Sequence, residues 1–438
     1  MIKDNINRPN NIFDLALIYV LFSFSIIGSS YIGINIGGVV LSPFRFFLIL
    51  SIPYFFTRKY PFVFSDNIYN YVLFYIIWII WGIGSILWAK DTNRAAASIY
   101  FLVVALWSIC ICTQSLNDIK SLHIVIIAVS ILFIFSTYIG LYEYQTGNYL
   151  FVNKDLLIER MSIEKYRAPL VFFTNQNDFS LFVYCGTLFT FYLFSISSNY
   201  VVRLLLLITC VIAVFLIIIS KSRGPSLALI VAAIYWFFIF AKNRIRLCFF
   251  LSFVLLSYIL YLYLFDVSYF DPINTFKEFF HIGYEPVDSY SDSNRLILLK
   301  DGIDMAISSY GFGVGLSNSV YYLQNVYRNS GGIYALHSWP IQVFAESGVI
   351  IGFLYVFQFI WLYLKTRIIY IQSDNLNEKK AATLFLILIV SLPFGLVSPS
   401  SVFDIEWVWM LLALLISFVN QSETNNNQTV CIESPVLS

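Results

Sequence analysis

Runs of about twenty apolar residues recur along this chain from residue 12 to residue 420, and they decide what it can fold into. A helix rising about 1.5 Å per residue needs roughly 20 residues to cross a hydrocarbon core about 30 Å thick. Inside lipid the backbone must bond to itself, so a continuous apolar run crosses as a helix. The expected spans are 12–32, 36–56, 68–88, 94–113, 121–142, 174–195, 201–219, 225–240, 245–265, 341–364, 381–397 and 402–420. The 225–240 and 381–397 runs are short, which leaves the count between eleven and thirteen, with twelve as the reading adopted. Composition agrees: 59% of the residues are apolar and 12% charged, against about 45–50% and about 25% in ordinary globular domains. The expectation is an all-α polytopic membrane protein of about 12 transmembrane helices.

The same numbers exclude other classes. A net charge of +1 gives no basis for nucleic-acid binding. Six cysteines form no CxxC and no legible disulfide framework. Three scattered histidines and the lack of HExxH make no zinc site, so neither a metal nor any other cofactor is expected. Residues 1–11 resemble a crude signal segment, but no small-x-small cleavage motif follows before Gly28, and the first run is read as a retained helix.

Basic residues orient the set. With the N-terminus in the cytoplasm, inner loops hold thirteen Lys and Arg, and the short outer loops hold eight. The clusters at 242–246 and 365–380 mark the inner side most firmly. Both termini are then cytoplasmic. The expected organisation is helices 1–9 over residues 1–265, an external loop over 266–340 and helices 10–12 over 341–420. A disordered cytoplasmic tail over 421–438 completes it.

The external loop carries eight acidic residues and two of the three histidines. From Asn294 its pattern reads as an amphipathic helix beginning near Arg295 and lying against the membrane domain. Gly311, Gly313 and Gly315 follow without the strand and spacing of a dinucleotide fingerprint, and are read as a flexible turn. His337 closes the loop just before Trp339 and Pro340, where a group that exchanges protons near neutral pH is useful.

Further polar residues stand at the same face. Asn175, Asn177 and Asp178 begin the sixth span, and one of them suffices to cap a helix, so the excess suits sugar contacts or a plain loop. Ser222, Arg223 and Gly224 begin the eighth span, where a helix start and a guanidinium fork suit phosphate oxygens. Arg45 lies inside the second span and either reaches an anionic headgroup or diphosphate, or else snorkels or pairs with an internal carboxylate. Glu346 in the tenth span, and Asp404 and Glu406 at the start of the twelfth, are expected to face the bundle interior, Glu346 as a supporting carboxylate.

Four motifs, taken in order, resemble the O-antigen ligase and O-antigen polymerase superfamily, teichuronic-acid-type members included. They are Phe173 to Phe179 (FTNQNDF), Ser222-Arg223-Gly224, Arg295 with Gly311-x-Gly313-x-Gly315, and His337-Ser338 leading to Glu346, Gly348 and Gly352. They cover about 170 to 352, and the many-helix layout covers the rest. The resemblance implies a membrane glycosyltransferase of the C class in a bacterial plasma membrane, with a large external loop between helices 9 and 10. It implies an inverting transfer from an undecaprenyl-diphosphate-linked glycan, without nucleotide sugar or metal. The acceptor is another lipid-linked glycan in a polymerase, or lipid A core in a ligase. The family's arginines fall by motif on Arg223 and Arg295 and its loop histidine on His337, while Arg45 matches only by approximate place. The resulting expectation is a polymerase of repeat units, to which a chain-length regulator is a fitting partner. A ligase is the alternative and a polysaccharide transporter the minor one, since no half-to-half repeat is visible.

Overall fold

The computed structural model describes residues 12–31, 33–36, 39–57, 64–151, 168–240, 290–327, 334–397, 401, 403 and 405–433. The expected ninth span, 245–265, and the loop residues 266–289 lie outside these. The described architecture is helical, with one two-stranded exception.

Its elements, in chain order, are α1 (Ile12–Tyr31), β1 (Ile34–Ile36), β2 (Val39–Leu41), α2 (Pro43–Phe56), α3 (Asp66–Ser85), α4 (Thr92–Ser115) and α5 (Ile119–Thr146). Then come α6 (Gln176–Ile196), α7 (Tyr200–Ile219), α8 (Arg223–Phe240), α9 (Tyr290–Ser308), α10 (Ser319–Tyr322) and a π turn (Leu323–Tyr327). The last three are α11 (Trp339–Gln372), α12 (Leu376–Gly395) and α13 (Glu406–Glu433). By length and composition, six of the described helices could cross a membrane: α3, α4, α5, α6, α7 and α11.

Three boundaries differ from the sequence reading. The expected span 36–56 is a hairpin followed by a 14-residue helix. Strands β1 and β2 pair antiparallel from Ile34–Leu41 to Ile36–Val39. Ser42 then starts α2, its hydroxyl accepting from Arg45 N, with Pro43 in the first turn. The expected span 341–364 begins earlier and runs to Gln372. The last helix continues to Glu433, through residues read as a disordered tail.

Its inner turns explain that continuation. Ser65 N donates to Asn420 Oδ1 at 2.9 Å, Lys365 Nζ lies 3.0 Å from Glu423 Oε1, and Ser422 Oγ donates to Glu378 Oε1 at 2.6 Å. The segment after residue 419 is thus a polar hub tying the start of α3, the later turns of α11 and the first turn of α12 at one end of the bundle.

α13 is the central post. Residues Trp407 to Val419 are almost entirely buried, and α13 packs along α4 and touches α1, α3, α5 and α11. Outer helices show a bare apolar face instead. Ile350, Phe353, Phe357, Ile360 and Leu364 of α11 are all exposed at helical spacing, the pattern of a face turned to lipid.

Buried polar contacts fix helix rotation in the interior. Trp78 Nε1 donates to Ser347 Oγ at 2.9 Å, and the hydroxyls of Tyr71 and Tyr75 donate to Gln358 Oε1 at 2.8 and 3.2 Å. Tyr184 and Ser391 share a further short hydrogen bond.

Candidate active site

The end of the bundle opposite the α13 hub collects the turns after α1, α3, α5, α7 and α12, together with residues 309–318 and 334–338. Arg45, Asn175, Asn177, Asp178, Arg223 and His337 stand at or beside helix starts at this end.

Arg45 is committed to a partner. Its Nε donates to Glu406 Oε1 at 2.6 Å, and the two side chains are 5% and 3% exposed. Its guanidinium lies 4.9 Å from the centre of the Phe101 ring and 5.8 Å from that of Tyr100. Of the two alternatives for Arg45, pairing with an internal carboxylate is the one seen.

Asn175 caps α6, its Oδ1 accepting from Asn177 N at 2.9 Å. Asn177 and Asp178 in the first turn are half-buried. What sets this corner is Glu143, which the sequence reading passed over. Its fully buried carboxylate accepts from Leu170 N at 3.0 Å, Val171 N at 2.8 Å and Leu150 N at 3.3 Å. It thereby closes both ends of the segment joining α5 to α6. A signal existed: an acid in the last turn of a helix opposes the macrodipole and needs a compensating partner.

Arg223 is the first residue of α8 and is half-buried. Before it, Lys221 has φ 51 and Ser222 is buried. A neighbouring contact locates this helix start. A Cβ on Gly395 of α12 would lie 2.6 Å from Leu181 of α6 and 3.5 Å from Ala228 of α8. The next residue, Leu396, accepts at its carbonyl from Trp339 N at 3.1 Å. The first turn of α8 and the head of α11 therefore share one end of the bundle.

His337 sits between two anchors at that head. Leu336 is buried and approaches Gly302 of α9. Trp339 is buried, donates from Nε1 to Ser401 O at 2.7 Å and stacks on Trp409 at 5.6 Å. Between them His337 is half-buried with φ 47, a left-handed conformation that costs a non-glycine residue about 1–3 kcal/mol.

Arg295 is carried on α9, the helix expected from Asn294, which begins at Tyr290. α9 packs along α11, with Leu298 and Met305 in a small core that includes Val314, Leu323, Leu336 and Ala345.

The glycine turn departs from expectation. Far from flexible, residues 311–315 are clamped into a break in α11 at Gly348, which has φ 86 and ψ 176. In an unbroken helix Val349 N–H would bond to Ala345 C=O. Here Val349 N donates to Gly311 O at 2.8 Å, and Ala345 O accepts from Val314 N at 2.9 Å. Gly315 N donates to Glu346 O at 3.0 Å. A Cβ on Gly313 would stand 2.5 Å from Glu346 O, so only glycine fits. Glu346 itself, fully buried, pairs with no arginine among the described residues. Its carboxylate accepts from Ser317 N at 2.8 Å, Ser319 Oγ at 2.5 Å and Gln342 Nε2 at 3.1 Å.

Six described helices long and apolar enough to cross a membrane mark the chain as a multi-pass membrane protein. The O-antigen ligase family matches residues 208–357, the stretch that holds Arg223, Arg295, His337 and Glu346. The teichuronic acid biosynthesis protein TuaE of Bacillus subtilis (strain 168) is 26% identical over 431 residues, 93% of this chain and 84% of that protein. Both matches support a relation to the O-antigen ligase and O-antigen polymerase superfamily.

Proposed function

We propose that the chain polymerises undecaprenyl-diphosphate-linked oligosaccharide repeat units into a surface polysaccharide, at the outer face of a bacterial plasma membrane. The observation that carries polymer growth over transfer to lipid A core is the relative just described. A protein named for teichuronic acid biosynthesis aligns with nearly the whole chain, whereas the ligase family matches 208–357 alone.

The chemistry follows from the site residues. An acceptor sugar hydroxyl attacks the anomeric carbon of the donor. The new glycosidic C–O bond forms as the bond to the diphosphate breaks, with inversion. Negative charge gathers on the departing diphosphate, where Arg223 and Arg295 stabilise it in fork geometry. The hydroxyl proton passes to His337. Asn175, Asn177 and Asp178 contribute sugar contacts at the start of α6. Arg45, already paired with Glu406, acts from the periphery, and Glu346 supports the site as a buried carboxylate.

The basic clusters at 242–246 and 365–380 support cytoplasmic termini and an external site. Purified protein given only undecaprenyl-diphosphate repeat unit then yields a ladder of longer lipid-linked chains. Extension only after lipid A core is added overturns polymerase in favour of ligase. No transfer under either condition removes the glycosyltransferase reading.

A further inference from the structure

The break in α11 joins the two parts of the proposed site. His337 lies two residues before α11, and Arg295 rides on α9, whose continuation through residues 309–319 links it by contact to α11. This link could swing freely, yet it is pinned along its length. Gly311, Val314 and Gly315 bond to the backbone of the break. Gly313 O accepts from Trp88 Nε1 at 2.9 Å, and Phe312 stacks on Trp81 at 5.9 Å. Asn318 Oδ1 accepts from Asp91 N at 2.7 Å. Among the described residues, Glu346 is the side chain inside α11 that hydrogen-bonds the far half of the link. Its two oxygens take Ser317 N, Ser319 Oγ and its own-helix neighbour Gln342.

We propose that Glu346 is a positioning residue. By holding Ser317 and Ser319 against the broken helix, it fixes α9 and its Arg295 relative to His337 at the head of α11. The inference rests on the glycosyl-transfer reading for its functional half only. The α9–α11 geometry stands independently of it.

Physical reasons favour a carboxylate here. All three groups facing it are donors, so an acid satisfies every one, while an amide would turn its own N–H toward at least one of them. The break at Gly348 is closely packed, with a Cβ there only 2.3 Å from Gly311 O, so that only glycine fits. The clasp therefore has one close-fitting arrangement and no slack.

The test uses full-length purified protein in a cysteine-free background. Spin labels at Ile307 of α9 and Ile350 of α11, both exposed, report the distance between the two helices. The parent gives one narrow distance. Glu346→Ala broadens it, and Ser319→Ala, a milder change that keeps two of the three bonds, broadens it less. In turnover on lipid-linked repeat unit, kcat of Glu346→Ala falls by about 10²-fold, the scale of a 1 Å misplacement. KM stays within about twofold, since donor binding is not what is lost. A narrow, unshifted distance in both variants overturns the clasp. A broadened distance with unchanged kcat overturns the positioning role. A parent protein that transfers no glycan refutes the glycosyltransferase reading and with it this role, while the distances still decide the clasp.

Discussion

Arg45 and Glu406 meet at 2.6 Å although 361 positions separate them in the chain. The pair bolts the start of α2 to the start of the central post α13. Removing one partner strands the other charge in a dry interior, which costs about 3–5 kcal/mol. Arg45→Ala and Glu406→Ala are therefore expected to lower the thermal stability of the detergent-purified protein sharply. Arg45→Met combined with Glu406→Leu should recover most of the loss. Arg45→Lys should be the mildest single change because it retains the charge. A double variant no more stable than either alanine variant contradicts a structural role for the pair.

His337 combines a proposed base with a strained backbone. His337→Ala should lose about 10²–10⁴ in transfer rate, the usual worth of a positioned proton acceptor. The parent rate should decline on acidification, and that limb should vanish in the variant. His337→Gly should be as slow as His337→Ala yet melt higher, because φ 47 suits glycine. An identical pH profile in parent and His337→Ala leaves His337 without a role in proton transfer.

Asp301 on α9 is 6% exposed, and its Oδ2 has no hydrogen-bond partner among the described residues. Burial raises its pKa, Asp304 raises it further, and Lys300 opposes them. An acid whose folded pKa lies above its unfolded value binds protons better when folded. Stability is then greatest below the unfolded aspartate range and declines as pH rises through the folded value. Asp301→Asn should remove that decline and melt higher than the parent at pH 7. A lower melting temperature at pH 7, with the same pH dependence, contradicts this account of the side chain.

Sidedness rests on charge and is checked by labelling. With native cysteines removed, Tyr310→Cys, at a position 92% exposed, should react with an impermeant thiol reagent in intact cells stripped of wall. Leu376→Cys, at the start of α12 and 64% exposed, should react only after permeabilisation. The reverse pattern inverts the molecule and moves the site to the cytoplasm.

What the sequence made legible was local. Helices such as α4 and α7 follow from unbroken apolar runs, and α9 from its amphipathic spacing after Asn294. The β1–β2 hairpin was hidden because three-residue strands around Gly37 and Gly38 look like the start of one more apolar run. Glu406 could be flagged as an interior acid, but its choice of Arg45 is a contact across 361 residues that no spacing encodes. The glycine turn was misread for the same reason. Gly311, Phe312 and Gly313 bond locally to Ala306 and Ser309, but what clamps the turn is the break at Gly348 together with Trp81 and Trp88, all far away in the chain. Helical continuation past residue 420 likewise depends on Ser65, Lys365 and Glu378, which lie far away in the chain.

The central claim is that glycan leaves a lipid diphosphate with Arg223 and Arg295 holding the departing charge. The direct measurement is release of undecaprenyl diphosphate from purified protein and lipid-linked repeat unit, followed together with glycan growth. The account predicts one undecaprenyl diphosphate freed for each glycosidic bond made. It also predicts a loss of most of that release in Arg223→Lys and Arg295→Lys, because lysine lacks the planar fork. Release by both lysine variants at the parent rate, or glycan growth without release, would contradict it.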